Sequence, residues 1–175
     1  HDSRIQFVVL HYTSASDERS LALLTHGEVS AHYLVGLNPP KVYQLVDESQ
    51  RAWHAGESQW DGRTWLNSSS IGIEIVHPGH VGGLPPDPDA QIAGVIALGL
   101  DIAGRWGIPL ERVLAHSDIA PERKEDPGET FPWARLAAAG IGHLVPAAPL
   151  RDGRFFARGD AGQPIEALQA MFALY

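Results

Sequence analysis

The chain has 175 residues, 44% of them hydrophobic, a formal net charge of −8 and no cysteine. That length suits one sizeable globular domain with a short appendage, and the hydrophobic share is enough for a packed core. The acidity excludes a nucleic-acid partner, whose phosphates demand a basic face, and the lack of cysteine excludes disulfides and thiolate metal sites, leaving His, Asp and Glu as metal donors. No run approaches the roughly 18–20 apolar residues of a membrane span. The chain opens on His1 rather than Met, so the lack of a visible signal peptide says nothing about export.

In chain order, the β-branched run Ile5 to Leu10 predicts a buried strand. Ser16 is placed to cap a short helix running through Leu24 and ending near Gly27. The apolar segments 31–35 and 42–46 flank Asn38-Pro39-Pro40 and predict a hairpin with a longer loop. Trp53 to Ser70 is rich in Gly, Ser and Trp and reads as one long loop; long ordered loops are usually functional. Ile71 to Val76 predicts a strand whose alternation puts Ile71, Ile73 and Ile75 on one face and Glu74 and Val76 on the other. Asp87 as cap and Pro88 at the first helical position open the clearest helix. Its apolar residues Ile92, Val95, Ile96, Leu100, Ala103 and Trp106 repeat at helical spacing, and Gly107 and Pro109 stop it. A short strand, 112–115, delivers His116, and a helix from Phe131-Pro132-Trp133 ends at Gly140. Interleaved strands and helices with an early hairpin predict an α/β fold, a mixed central sheet flanked by helices. Residues 143–162 read as irregular, and Pro164 starts a last helix, Ile165 to Leu174.

Three residues stand out against this frame. His11 closes the first apolar run, His116 follows the short strand, and Asp126 stands ten residues further on. Two imidazoles and a carboxylate on rigid strand ends can hold Zn²⁺ and leave its fourth position open, as a catalytic zinc site requires.

The words around these residues carry a resemblance. Val9-Leu10-His11-Tyr12-Thr13, Ser30-Ala31-His32-Tyr33-Leu34-Val35, Trp53-His54-Ala55-Gly56, the segment Asn67 to Glu74 and the segment Ala115 to Gly128 occur in that order. Together they resemble the signature segments of bacterial zinc-dependent N-acetylmuramyl-L-alanine amidases of the AmpD/AmiD type, the amidase 2 family, over about residues 4 to 140. The resemblance implies a mixed sheet flanked by helices. It also implies hydrolysis of the amide between the lactyl group of N-acetylmuramic acid and L-alanine of the peptidoglycan stem peptide. It makes His11, His116 and Asp126 the zinc ligands, Glu74 the proton shuttle and Lys124 the cation beside the developing oxyanion. Phage lysozyme-type relatives carry a tyrosine where this chain has Ala31 and lack the glutamate, which places the shuttle here on Glu74. The same fold serves in animals as a silent peptidoglycan-recognition domain, the alternative reading, but silent members typically lack a metal ligand and this chain keeps all three.

His32, Trp53, His54 and Asn67 are the candidate substrate contacts, each weighed against an ordinary structural role. His26, His77, His80 and His143 lie outside the matched words and read as surface. Asp118 reads as the cap of the turn after His116, and Glu125 as pointing away from Asp126. The expected organisation is a zinc amidase domain over 1–145, an irregular linker over 146–162 and a C-terminal helix over 163–175. That helix resembles the opening helix of a peptidoglycan-binding module, with an ordinary packing helix as the alternative. The expected partner is peptidoglycan or a muropeptide. A wall polymer as substrate implies a periplasmic, exported or outer-membrane-associated enzyme, and small fragments imply a cytoplasmic recycling enzyme.

Overall fold

The computed structural model describes residues 4–145 and 155–173. The chain divides into two compact units, His1–Leu144 and Val145–Tyr175. The first is built on a five-stranded sheet, β3-β2-β6-β1-β7. Its strands are β1 (Phe7–Tyr12), β2 (Tyr33–Val35), β3 (Val42–Gln44), β6 (Ser70–Ile75) and β7 (Val113–Ala115). β1 runs parallel to both β6 and β7, β2 runs parallel to β6, and only β3 is antiparallel, joined to β2 as the expected hairpin.

The apolar continuity of β1 and β6 follows from burial on both faces, which a sheet of parallel strands demands. On one face Val8, Leu10, Ile71, Ile73 and Ile75 pack with Ile92, Val95 and Ile102 of helix α2 (Asp89–Trp106). On the other, Phe7 and Val9 pack with Ala55, Leu66, Leu114 and Ile119. The alternation predicted for β6 is therefore observed, and it leaves Glu74 on the face away from α2.

Ser16 caps α1 (Asp17–His26) by accepting from the Arg19 amide, and Gly27 ends it. α2 starts one residue later than expected, with Pro88 at the cap position and no side-chain cap. Its C-terminus is closed by Gly107 in the left-handed conformation, φ 66°, which glycine adopts without steric cost. The buried Glu48 carboxylate locks this end. It accepts from Arg105 Nη1 and Nη2 at 2.5 and 2.7 Å, from the Tyr33 hydroxyl at 2.6 Å and from the Trp106 indole at 2.7 Å.

The segment expected as one loop, 53–70, carries structure of its own. A two-stranded ribbon, β4 (Gln59–Trp60) and β5 (Arg63–Thr64), is followed by a 3₁₀ turn over Leu66–Ser68. Strands of two residues leave no periodicity to read in a sequence. Two short helices, α3 (His116–Ile119) and α4 (Trp133–Ala138), complete this unit. α3 has the Asp118 carboxylate accepting from the Ala115 amide at 2.8 Å, so Asp118 caps the turn it lies in. In the second unit α5 (Gln163–Ala173) begins just before the expected Pro164. Leu174 and Tyr175, and the linker residues 146–154, lie outside the described residues. No helix among the described residues is long and apolar enough to cross a membrane.

Candidate metal centre and active site

Sheet register assembles the site. His11 and Glu74 are direct partners across the parallel pair β1 and β6, so both side chains leave the same face, the one opposite α2. β7 lies on the other side of β1, and His116 follows directly on its last residue. Asp126 is brought back by a backbone hydrogen bond from the Ser117 amide to the Asp126 carbonyl, 3.0 Å.

The three donor atoms form a nearly equilateral triangle. His11 Nδ1 lies 2.8 Å from His116 Nδ1 and 3.1 Å from Asp126 Oδ2, and His116 Nδ1 lies 3.0 Å from the same oxygen. Three corners of a tetrahedron with bonds of about 2.0–2.1 Å to the centre would be about 3.3 Å apart. The observed edges are slightly tighter, so a small dication fits with an outward shift of a few tenths of an ångström. All three residues are buried, and among the described residues they are the one His/Asp/Glu group compact enough to hold a metal ion.

Electrostatics favour a cation here. Burial lowers the His11 imidazole to about 4, against the opposing pull of the adjacent Asp126 carboxylate, so His11 is neutral and offers a lone pair. Burial alone would raise the Asp126 carboxyl, but the two imidazoles of His11 and His116 beside it outweigh that and hold the group well below the usual carboxylate range. Glu74 is the opposite case. Burial, reinforced by the Asp126 charge and relieved in part by Lys124, raises it to about 8. Its buried Oε2 has no hydrogen-bond partner. A carboxyl with an unpartnered oxygen beside three metal-donor atoms is placed for a water or substrate group rather than for the fold.

These residues line one cavity of about 280 Å³, together with Lys124, Tyr12, Thr13, Ser14 and apolar residues of α1. A second, larger depression of about 580 Å³ is lined by residues 57–59, Thr64, Trp65 and 119–123. Trp65 holds the left-handed conformation, φ 56°, and the residue is 61% exposed.

Of the candidate substrate contacts, His54 lines the cavity and His32, Trp53 and Asn67 do not. His32 is fully buried. Its Nδ1 accepts from the Gly72 amide at 3.0 Å and its Nε2 donates to the Gln50 carbonyl at 3.2 Å, so it has no free polar atom to offer a ligand. Asn67 is buried, its Oδ1 accepting from the amides of both His54 and Ala55. Trp53 is half exposed, carries the Arg51 guanidinium on its face at 4.0 Å and is not among the residues lining the cavity. His54 edges the cavity, but its nitrogens face His11 and Ser70.

Two histidines read as surface are not. His77 is buried, accepting from the Gly79 amide and donating to the Pro85 carbonyl. His80 is half-buried, accepts from the Tyr12 hydroxyl at 2.7 Å and donates to Glu129 at 2.9 Å. Both belong to a Gly- and Pro-rich turn whose sequence has no period to betray burial. Glu125 is exposed and lies near His80, away from the metal-donor triangle, as expected.

The chain is similar to known proteins over the part that builds this site. Residues 1–129 match the profile of the N-acetylmuramoyl-L-alanine amidase family, Amidase_2. N-acetylmuramoyl-L-alanine amidase AmiD of Escherichia coli is 48% identical over 150 residues, 79% of this chain and 54% of that protein. The 1,6-anhydro-N-acetylmuramyl-L-alanine amidase AmpD of Enterobacter cloacae is 39% identical over 117 residues, 67% of this chain and 60% of its own length. The structure of E. coli AmiD in complex with the substrate anhydro-N-acetylmuramic acid-L-Ala-D-gamma-Glu-L-Lys superposes with a TM-score of 0.78 at 46% identity, over 84% of this chain and 62% of that one. AmpDH3 of Pseudomonas aeruginosa gives 0.78 at 39% identity, over 82% and 62%. The matched stretch thus spans little more than half the length of these curated relatives. With a profile match over well beyond half of its residues, the chain belongs to the N-acetylmuramoyl-L-alanine amidase family.

Proposed function

We propose that this chain is a zinc-dependent amidase that hydrolyses the amide between the lactyl group of N-acetylmuramic acid and L-alanine of the stem peptide. The observation that carries the reading is the Glu74 carboxyl, with its buried Oε2 unpartnered, beside the His11–His116–Asp126 triangle. A silent recognition domain, the alternative, has no use for a buried carboxyl with an orphan oxygen, which costs stability and returns nothing to binding.

His11, His116 and Asp126 would hold the ion. The chemistry zinc supplies when bound is Lewis acidity toward the amide carbonyl and a lowered pKa, to about 7, for water. Glu74 then takes the proton of the attacking water and passes it to the departing nitrogen of L-alanine; a carboxyl raised toward neutral pH suits both halves of that transfer. Lys124, half-buried in the cavity wall, presents an ammonium to the oxygen on which negative charge develops. The bond broken is the lactyl C–N bond; the acyl carbon keeps the water oxygen and the peptide leaves as a free amine.

The relatives supply the substrate class. AmiD is described with an anhydromuramyl tripeptide as substrate, and AmpDH3 with an anhydromuramic pentapeptide. The depression lined by residues 57–59, Thr64, Trp65 and 119–123 supports a longer substrate, a glycan strand, with the exposed Trp65 ring as a face for a sugar. A polymeric substrate in turn supports a periplasmic or outer-membrane-associated enzyme over a cytoplasmic one.

Elemental analysis together with peptide release from a muropeptide tests the reading. One zinc per chain and release abolished by a chelator are expected; full release by chelated, zinc-free protein would refute it. Release of stem peptides from intact sacculi as well as from anhydro-muropeptides is expected of an exported enzyme, and activity confined to the small fragments would move it to the cytoplasm.

A further inference from the structure

Both imidazole ligands are held from behind by one short segment. His11 Nε2 lies 3.0 Å from His54 Nδ1, His54 Nε2 lies 3.2 Å from Ser70 Oγ, and the Ser70 hydroxyl donates to the Leu66 carbonyl at 2.7 Å. A carbonyl accepts only, so the direction of the whole chain is fixed from its far end. The Ser70 hydroxyl, its proton spent on Leu66, must accept from His54 Nε2–H. His54 Nδ1 is then a lone pair, and it must accept from His11 Nε2–H. What remains to His11 is a lone pair on Nδ1, the atom that faces His116 and Asp126.

The second imidazole is fixed the same way by the next residue. His116 Nε2 lies 3.1 Å from the Ala55 carbonyl, which also accepts from Arg123 at 2.8 Å. The His116 proton therefore sits on Nε2, and its lone pair on Nδ1 faces His11 and Asp126. Residues 54 and 55 are themselves pinned, because the single oxygen Asn67 Oδ1 accepts both of their amides, at 2.9 and 2.7 Å. Room for the His54 ring comes from β6: a Cβ on Gly72 would stand 2.4 Å from it.

We propose that His54 and Asn67 are positioning residues of the metal centre, a clamp that fixes both imidazole ligands in the Nε2–H tautomer with their Nδ1 lone pairs converging. His54 acts through its ring on His11, and Asn67 acts through the Ala55 carbonyl on His116. This rests on the reading of His11, His116 and Asp126 as metal ligands, and it removes both residues from the set of substrate contacts.

Zinc affinity, measured by competition with a chromophoric chelator on folded protein, tests it without recourse to activity. Partners of this kind set metal affinity by about 10–100-fold. His54→Ala and Asn67→Ala are each expected to weaken zinc at least about 10-fold. His54→Asn and Asn67→Asp, which restore an acceptor oxygen in the same place, are expected to recover to within about 3-fold of the parent. Ring ¹⁵N spectra of the zinc-loaded parent add a readout that needs no variant, and His54 is expected to carry its proton on Nε2. Alanine variants that bind zinc within about 2-fold of the parent, or a His54 proton on Nδ1, overturn the clamp while leaving the metal centre standing. A parent that binds no zinc overturns the metal centre and the clamp with it.

Discussion

Replacing Glu74 by glutamine keeps the shape of the side chain and deletes its charge, which separates what this residue costs the fold from what it gives the reaction. In the metal-free protein its carboxyl is raised from 4.5 to about 8, chiefly by burial. Between those values the folded chain holds a proton that the unfolded chain has released, so stability falls as pH rises through the window and the loss is complete above about 8. At about 1.4 kcal/mol per pKa unit the ceiling is about 5 kcal/mol. The carboxyl opens on a cavity that water enters, which screens part of this, and a difference on the order of 2 kcal/mol is expected. Urea unfolding of chelator-treated protein at pH 4.5, 7 and 9 measures it. Glu74→Gln is expected to match the parent near pH 4.5 and to exceed it progressively toward pH 9. With zinc restored, the same variant is expected to keep the metal and lose at least about 10²-fold in kcat, the scale on which a positioned general base acts. Equal pH slopes for parent and variant, or near-normal turnover, would refute the assignment of Glu74.

His116→Ala is expected to lose both bound zinc, read by elemental analysis, and all hydrolysis, because a centre with three protein ligands cannot spare one. Lys124→Ala should lower kcat more than it raises KM and leave zinc content unchanged, since an ammonium aimed at the developing oxyanion binds the transition state better than the substrate. Away from the site, Glu48 is held down to about 2, first by its Arg105 hydrogen bonds. Its contribution is therefore complete above about 4.5 and is lost as pH falls toward 2. Glu48→Gln should cost about 3 kcal/mol at pH 7, with the gap to the parent closing in urea titrations near pH 2.

Much of the frame was legible because its signals are local. The alternation of Ile71, Ile73 and Ile75 against Glu74 needs only the pleat of a strand, and Ser16 and Gly107 end helices by chemistry contained in a few residues. The metal-donor triangle was legible through the words around His11, His116 and Asp126, not through spacing, since 105 residues separate His11 from His116. What escaped depends on contacts between distant segments. His32 and His54 stand in equally distinctive words, yet one staples the backbone of β6 and the other lies between His11 and Ser70, and only the positions of Gly72 and Ser70 separate those placements. Asn67 reads as a candidate substrate contact because nothing local shows that its oxygen takes two amides at once. The β4–β5 ribbon and the burial of His77 were hidden in turns too short for any period.

Hydrolysis of an anhydromuramyl peptide in H₂¹⁸O, followed by mass spectrometry of both products, asks directly which bond this chain cuts. Attack of water on the lactyl carbonyl predicts one ¹⁸O in the muramic carboxyl and an unlabelled stem peptide with a free L-alanine amine. Label in the carboxyl of L-alanine, with the muramyl–alanine bond intact, would place the cut one residue further along and contradict the assignment.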